Sequence, residues 1–252
     1  MLNATHGNEQ GPHFVPVPKI GRVYREGALV GPGDAAADGN AHLDAIVRWI
    51  QEIAYADVAD SELREPGAWV VRRTRLLVRR APQFGERIEL ATFCSALGAS
   101  VAERRTRIEG SEGADVDAAV LWVYIDDEKR TPKPFTEEFM SIYGPSTEGR
   151  RARSGLKHPS PPEGAARSTW RFGAADVDLA NHVNNVAFVR ILVDLVLGTS
   201  AVDGLELDAE YRVPASAGDV SVLSADDRVW VVDRGDKPTF ASLSLTGMPG
   251  DR

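Results

Sequence analysis

Apolar residues recur along this chain in two rhythms. Between about His42 and Ala59, Leu43, Ile46, Val47, Ile50, Ile53 and Ala54 return at three- and four-residue spacing, while Asp44, Arg48, Gln51 and Glu52 take the other face. That pattern predicts an amphipathic helix. A second helix is predicted from about Val183 to Leu197, and it is apolar nearly all round: Val183, Val186, Ala187, Val189, Ile191, Leu192, Val193, Leu195 and Val196. A helix of that composition is wrapped by protein on most sides. Between the two, the runs 69–80, 86–94, 101–109 and 116–126 are strand-like and are separated by turn chemistry such as A-P-Q-F-G and E-G-S-E-G. Turn residues at hairpin spacing predict an antiparallel meander, and residues 21–30 predict one further strand ahead of the first helix.

The same order returns later. A strand near Thr169 to Phe172 precedes the second helix, and strand candidates follow at 205–213, 219–223, 228–233 and 240–246. Residues 144–168 are rich in Pro, Gly and Ser without apolar periodicity, which predicts a linker. The segment 78–90 lines up with 211–223, pairing Arg79 with Arg212 and Gly85 with Gly218, and Asp38-x-x-x-His42 echoes Asp178-x-x-x-His182. An internal repeat accounts for these features. The predicted organisation is an α+β chain with a tail (1–20), a first half (21–143), the linker (144–168) and a second half (169–252). Each half is a long helix wrapped by a curved antiparallel sheet, and the halves pair edge to edge like a dimer fused in one chain.

Composition narrows the classes. An apolar fraction of 43% and a charged fraction of 26% are those of an ordinary soluble globular protein. A net charge of −8 with a pI near 5.2 argues against non-specific nucleic-acid binding. The single cysteine, Cys94, excludes an intramolecular disulfide and a cysteine-based metal site, which fits a reducing compartment. Residues 1–20 lack the features of a signal peptide, and no apolar run approaches membrane-spanning length, so a cytoplasmic protein without a membrane span is expected.

Chemistry concentrates where the second helix begins. In D-V-D-L-A-N-H-V-N-N, from Asp176 to Asn185, carboxylates and an imidazole precede an apolar helix whose first amides and positive dipole end face the same place. The run D-x-D-x-x-x-H-V-N-N followed by an apolar helix resembles the catalytic segment of hotdog-fold thioesterases, and most closely the acyl-acyl-carrier-protein (acyl-ACP) thioesterases, with similarity from about Arg22 to the end. The resemblance implies a tandem hotdog fold and hydrolysis of a fatty-acyl thioester, acyl-ACP or acyl-CoA, without a metal or organic cofactor. It assigns Asp178 as general base or nucleophile and His182 as its assistant. The amides of Val183 and Asn184 would form the oxyanion site at the helix start, and Asn181, Asn185 and Glu210 are candidate orienting groups. The alternative reading of Asp178, ranked behind catalysis, is an N-terminal helix cap. Two positions depart from the family: Ala180 stands where it carries Asn, and Pro214 and Ala215 stand where it carries a polar pair after the helix. A non-hydrolytic acyl-binding hotdog protein and a hotdog hydratase or dehydratase are the alternatives. Asp38 and His42 read as a weaker copy, making the first half a substrate-binding half without chemistry.

Nine arginines, Arg72, Arg73, Arg75, Arg79, Arg80, Arg87, Arg104, Arg105 and Arg107, stand against only Glu86, Glu89 and Glu103 in residues 72–107. That balance predicts a positive surface for an anionic carrier protein or the phosphates of coenzyme A, with Arg104, Arg105 and Arg107 as candidates. The solvated face of a sheet is the alternative. A homodimer of tandem hotdogs is compatible with the sequence.

Overall fold

The computed structural model describes residues 14–63, 67–198 and 202–247. In the first half a strand, β1 (Tyr24–Leu29), precedes helix α1 (Leu43–Asp60), and then come β2 (Ala68–Arg80), β3 (Arg87–Leu97), β4 (Val101–Gly110) and β5 (Asp115–Ile125). After a short helix, α2 (Glu137–Tyr143), the pattern repeats as β6 (Ala166–Phe172), α3 (Asn185–Leu192), β7 (Leu205–Tyr211), β8 (Gly218–Ala225), β9 (Arg228–Val232) and β10 (Thr239–Thr246).

All ten strands join one antiparallel sheet in the order β1-β3-β4-β5-β2-β7-β10-β9-β8-β6. The order reads the same from either edge once each strand of the first half is equated with its counterpart, so the sheet has a pseudo-twofold axis at the β2–β7 seam. This is the tandem hotdog expected from the repeat. At the seam Leu76 faces Leu207 and Val78 faces Leu205. All four are buried and join the core with Ile46 and Ile50 of α1 and Val189 and Leu192 of α3. Burying each such side chain contributes about 1.5–3 kcal/mol, and alternation along the strands turns the intervening residues to the other face.

Helix α3 differs from the predicted span at both ends. It starts at Asn185, because the Val183 and Asn184 amides are bonded to Ala215 and Asp176 outside the helix. Beyond Leu192 it loosens into a π turn over Val193–Leu197 that ends at Gly198, whose φ of +60° suits glycine.

Helix α2 was not foreseen. Thr136 caps it by accepting the Phe139 amide at 3.1 Å, and Glu137 and Glu138 oppose its positive end. Phe139 stacks on Phe135 at 4.3 Å and lies tilted against Tyr143 at 4.9 Å between ring centres. With Leu63, Cys94, Leu97 and Ala102 these rings form a second apolar cluster.

Residues 148–165 carry no helix or strand, yet they are pinned to the sheet. The Arg150 Nε donates to the Ser95 carbonyl at 2.8 Å, and Trp230 Nε1 donates to the Pro159 carbonyl at 2.8 Å.

Candidate active site

The chain before α3 is a tight frame held by backbone hydrogen bonds. Asp176 accepts the Gly173 amide on one carboxylate oxygen at 2.7 Å and Arg190 of α3 on the other at 2.5 Å. Its carbonyl accepts the Asn184 amide at 2.8 Å. Inside that frame the Asp178 amide donates to the His182 carbonyl, and the Asn181 amide donates to the Asp178 carbonyl, each at 2.9 Å. Asn181 turns the corner with φ +60°, a left-handed conformation that asparagine tolerates better than most residues. The Val183 amide then reaches the Ala215 carbonyl at 2.8 Å, and the Asn184 side chain caps α3 by accepting the Val186 amide at 2.9 Å.

The first half repeats this frame bond for bond. Asp34 accepts the Gly31 amide at 2.9 Å and pairs with Arg48, which stands 14 residues further on, as Arg190 does from Asp176. The His42 amide donates to the Asp34 carbonyl at 2.7 Å, Ala36 to Asn40 at 2.8 Å, Gly39 to Ala36 at 3.0 Å and Ala41 to Pro82 at 2.7 Å. Gly39 has φ +88°, in the place of Asn181. The structural counterparts are therefore Asp34 with Asp176, Ala36 with Asp178, Asn40 with His182 and His42 with Asn184. This corrects the pairing of Asp38 and His42 with Asp178 and His182 by two residues. The alignment of 78–90 with 211–223 agrees with the structure, since it equates Pro82 with Ala215. The first half carries alanine where the second carries Asp178.

Asp178 is half-buried, and it does not cap α3; that place belongs to Asn184. One of its carboxylate oxygens accepts the Ala180 amide at 2.9 Å, and the other has no partner among the described residues. The half-buried His182 ring makes no hydrogen bond among them, so carboxylate and imidazole share one turn without a hydrogen bond between them. The expected oxyanion donors need correction, because the Val183 and Asn184 amides are both spent on carbonyls. The amides of Leu179, His182 and Asn185 have no partner among the described residues, and that of Asn185 is the first of α3. Its carbonyl accepts the Tyr211 hydroxyl at 3.4 Å, and Tyr211 packs edge-on against Phe188. Pro214 and Ala215 lie where the resemblance puts a polar pair, directly against Val183, and they bring no polar side chain to it.

Glu210 is not an orienting group. Tyr211 faces α3, so Glu210 points to the opposite side of the sheet, fully buried. There it accepts the amides of Lys157 and His158 at 2.5 and 3.1 Å and binds Arg212 at 3.2 Å.

The arginine surface is corrected as well. Arg104 is 9% exposed and reaches Asp57 at 2.5 Å from inside the protein, while Arg105 is 2% exposed. Arg107 is engaged by Glu109, Asp115 and Asp117. Arg73 pairs with Asp208, Arg75 with Glu103, and Arg79 with Asp115 and Asp117. These acids lie on α1 and on other strands of the sheet, mostly outside residues 72–107, so counting charge along the chain missed them.

Among the described residues no group of three or more His, Cys, Asp or Glu is placed to hold a metal ion, and no helix is long and apolar enough to cross a membrane. A carboxylate with one free oxygen, beside a helix start with a free amide, is an arrangement that can activate water against a polarised carbonyl.

Residues 21–143 match the family model of the acyl-ACP thioesterase N-terminal domain. An uncharacterised protein of Mycobacterium tuberculosis is 24% identical over 216 residues, which cover 85% of this chain and 86% of that one. A chloroplastic palmitoyl-acyl carrier protein thioesterase of Cuphea hookeriana is 24% identical over 231 residues, covering 81% of this chain and 54% of its own. The solved structure of the 12:0-ACP thioesterase from Umbellularia californica shares the fold, with a TM-score of 0.72 at 16% identity over 88% of this chain and 92% of that one. The matched domain, just under half of the chain, and the tandem hotdog fold together support placing this chain in the acyl-ACP thioesterase family of thioester hydrolases.

Proposed function

We propose that the chain hydrolyses fatty-acyl thioesters, acyl-ACP first and acyl-CoA second, at the turn 178–185. The observation that carries this reading is the asymmetry of the two frames: the same backbone scaffold bears a carboxylate, Asp178, in one half and a methyl group, Ala36, in the other. A purely structural turn has no need of the difference. In this mechanism the thioester carbonyl approaches the Asn185 amide at the positive end of α3, and a well-placed donor there is worth roughly 3–4 kcal/mol in the transition state. Asp178 activates water or attacks the carbonyl itself, with His182 adjacent for proton transfer. Asn181 shapes the turn that presents both.

A second reading is favoured by Pro214 and Ala215, which bring no polar side chain to Val183: a protein that binds acyl-ACP or acyl-CoA without cleaving it. Incubation with a panel of acyl-ACP and acyl-CoA substrates, with free thiol as the readout, separates the two. Turnover on acyl-ACP that exceeds turnover on acyl-CoA supports the first reading. Binding without thiol release on any substrate overturns it.

A further inference from the structure

The face of the sheet turned away from α1 and α3 holds a cleft of about 400 Å³, within the range of small-molecule sites. Residues 14–17 form one wall, and Phe93 and Arg105 lie across from them. Arg105 is 2% exposed, and its Nε and Nη2 atoms have no hydrogen-bond partner among the described residues. Asp117 stands 3.8 Å from it, too far for a hydrogen bond. Both nearby aspartates are already taken: Arg79 holds Asp115 at 2.9 Å and Asp117 at 2.7 Å, and Arg107 binds the same pair. Asp115 and Asp117 are thus shared by Arg79 and Arg107, and Arg107 also binds Glu109 on the solvent side. Arg75 and Glu103, also on this face, are paired with each other.

Burial pushes Arg105 down to about 10, against the pull of Asp117 and Glu103, so it is still charged at neutral pH. The Phe14 ring lies 4.0 Å from the guanidinium centre, which stabilises the flat face of the cation but gives its N–H edge no acceptor. A desolvated donor left without a partner is costly. Nε and Nη2 form the side-on fork of the guanidinium, the edge that matches the two oxygens of a carboxylate.

We propose that this cleft binds a monocarboxylate with an apolar tail, the carboxylate on the Nε/Nη2 edge of Arg105 and the tail against Phe14, Pro16 and Phe93. An N–H fork without an acceptor calls for one planar carboxylate, and Asp115 and Asp117 beside it would repel a dianion. Val15 and Val17 extend the apolar wall. The site lies on the opposite face of the sheet from the turn 178–185 and does not depend on the function proposed there.

The test places a reporter over the site. Phe14→Trp keeps an aromatic ring above Arg105, and its emission is read as a difference from the parent protein, which has five tryptophans. Titration with sodium octanoate should give a saturable change. Octanol, which lacks the charge, and inorganic phosphate, which lacks the tail, should bind at least about tenfold more weakly. Arg105→Met added to the reporter should abolish the response. Arg105→Lys, which keeps a charge but not the planar fork, should weaken octanoate by at least about tenfold even if the methionine variant fails to fold. No saturable change with octanoate, an unaltered response in Arg105→Lys, or phosphate binding as tightly as octanoate would each overturn the proposal.

Discussion

Ala36 and Asp178 hold the same place in the two halves, each donating its amide to the residue four positions on, Ala36 to Asn40 at 2.8 Å and Asp178 to His182 at 2.9 Å. Around both, an aspartate and an arginine 14 residues apart lock the turn to its helix. The scaffold is duplicated, but the carboxylate is not. One hotdog half is thereby left to shape the molecule while the other carries the candidate chemistry.

Asp178→Asn tests the carboxylate with little disturbance of the turn. Asparagine can accept the Ala180 amide as Asp178 does at 2.9 Å, so stability should change by less than about 1 kcal/mol. Thiol release should fall by about 10²-fold or more, the scale of a lost general base. Wild-type turnover in a protein with a wild-type melting temperature would end the assignment.

Ala180→Asn restores the residue usual in the family, and its side chain would project from the tip of the turn beside Asp178. A gain in kcat with unchanged melting temperature is expected if the present site is a reduced version of a fuller one. A rate no higher than that of the parent on every substrate would count against that view.

Arg104 should matter for stability rather than for carrier docking. Asp57 is fully buried between Arg104 at 2.5 Å and Arg22 at 2.6 Å. Arg104→Ala leaves the carboxylate with one cation, and the loss should be about 3 kcal/mol, the lower end for breaking a buried pair. Urea denaturation measures it. A raised KM for acyl-ACP with undiminished stability would restore the docking surface that burial argues against.

The β2–β7 seam carries a pH dependence. Burial alone would raise Asp208, but the Arg73 guanidinium and His158 outweigh it and hold the carboxyl well below the usual range. A depressed folded-state value means stability that is present above the unfolded value of about 3.9 and lost as pH falls below it. Arg73→Met should therefore move the acid-unfolding midpoint to higher pH and raise the Asp208 titration seen by NMR. A midpoint that stays in place would show that the pair does not tie the halves together.

Residues 1–148 alone should not yield a stable monomer. Cutting there removes β7 and α3, which exposes the hydrogen-bonding edge of β2 and the apolar face of α1 that packs on α3. Sedimentation of that fragment as a folded monomer would contradict the fused-dimer architecture.

The sequence by itself determined the elements, because helix and strand rhythms are local and this chain follows them closely. It also determined the duplication and the turn at Asp178, where titratable residues meet an apolar helix. Helix α2 was legible in principle, through Thr136 as cap, two glutamates in the first turn and Phe139 with Tyr143 on one face, but seven residues give a short rhythm. Tertiary structure alone decided which groups are free. The Val183 amide looked available until Ala215, on the far side of β7, was brought to it. Arg104 and Arg105 looked like surface charge until Asp57 and Phe14 were folded over them. Glu210 looked like a neighbour of the site until the strand alternation, set by Tyr211 packing against Phe188, turned it to the other face. Each of these depends on partners distant in sequence, and periodicity carries no information about what a side chain meets across a sheet.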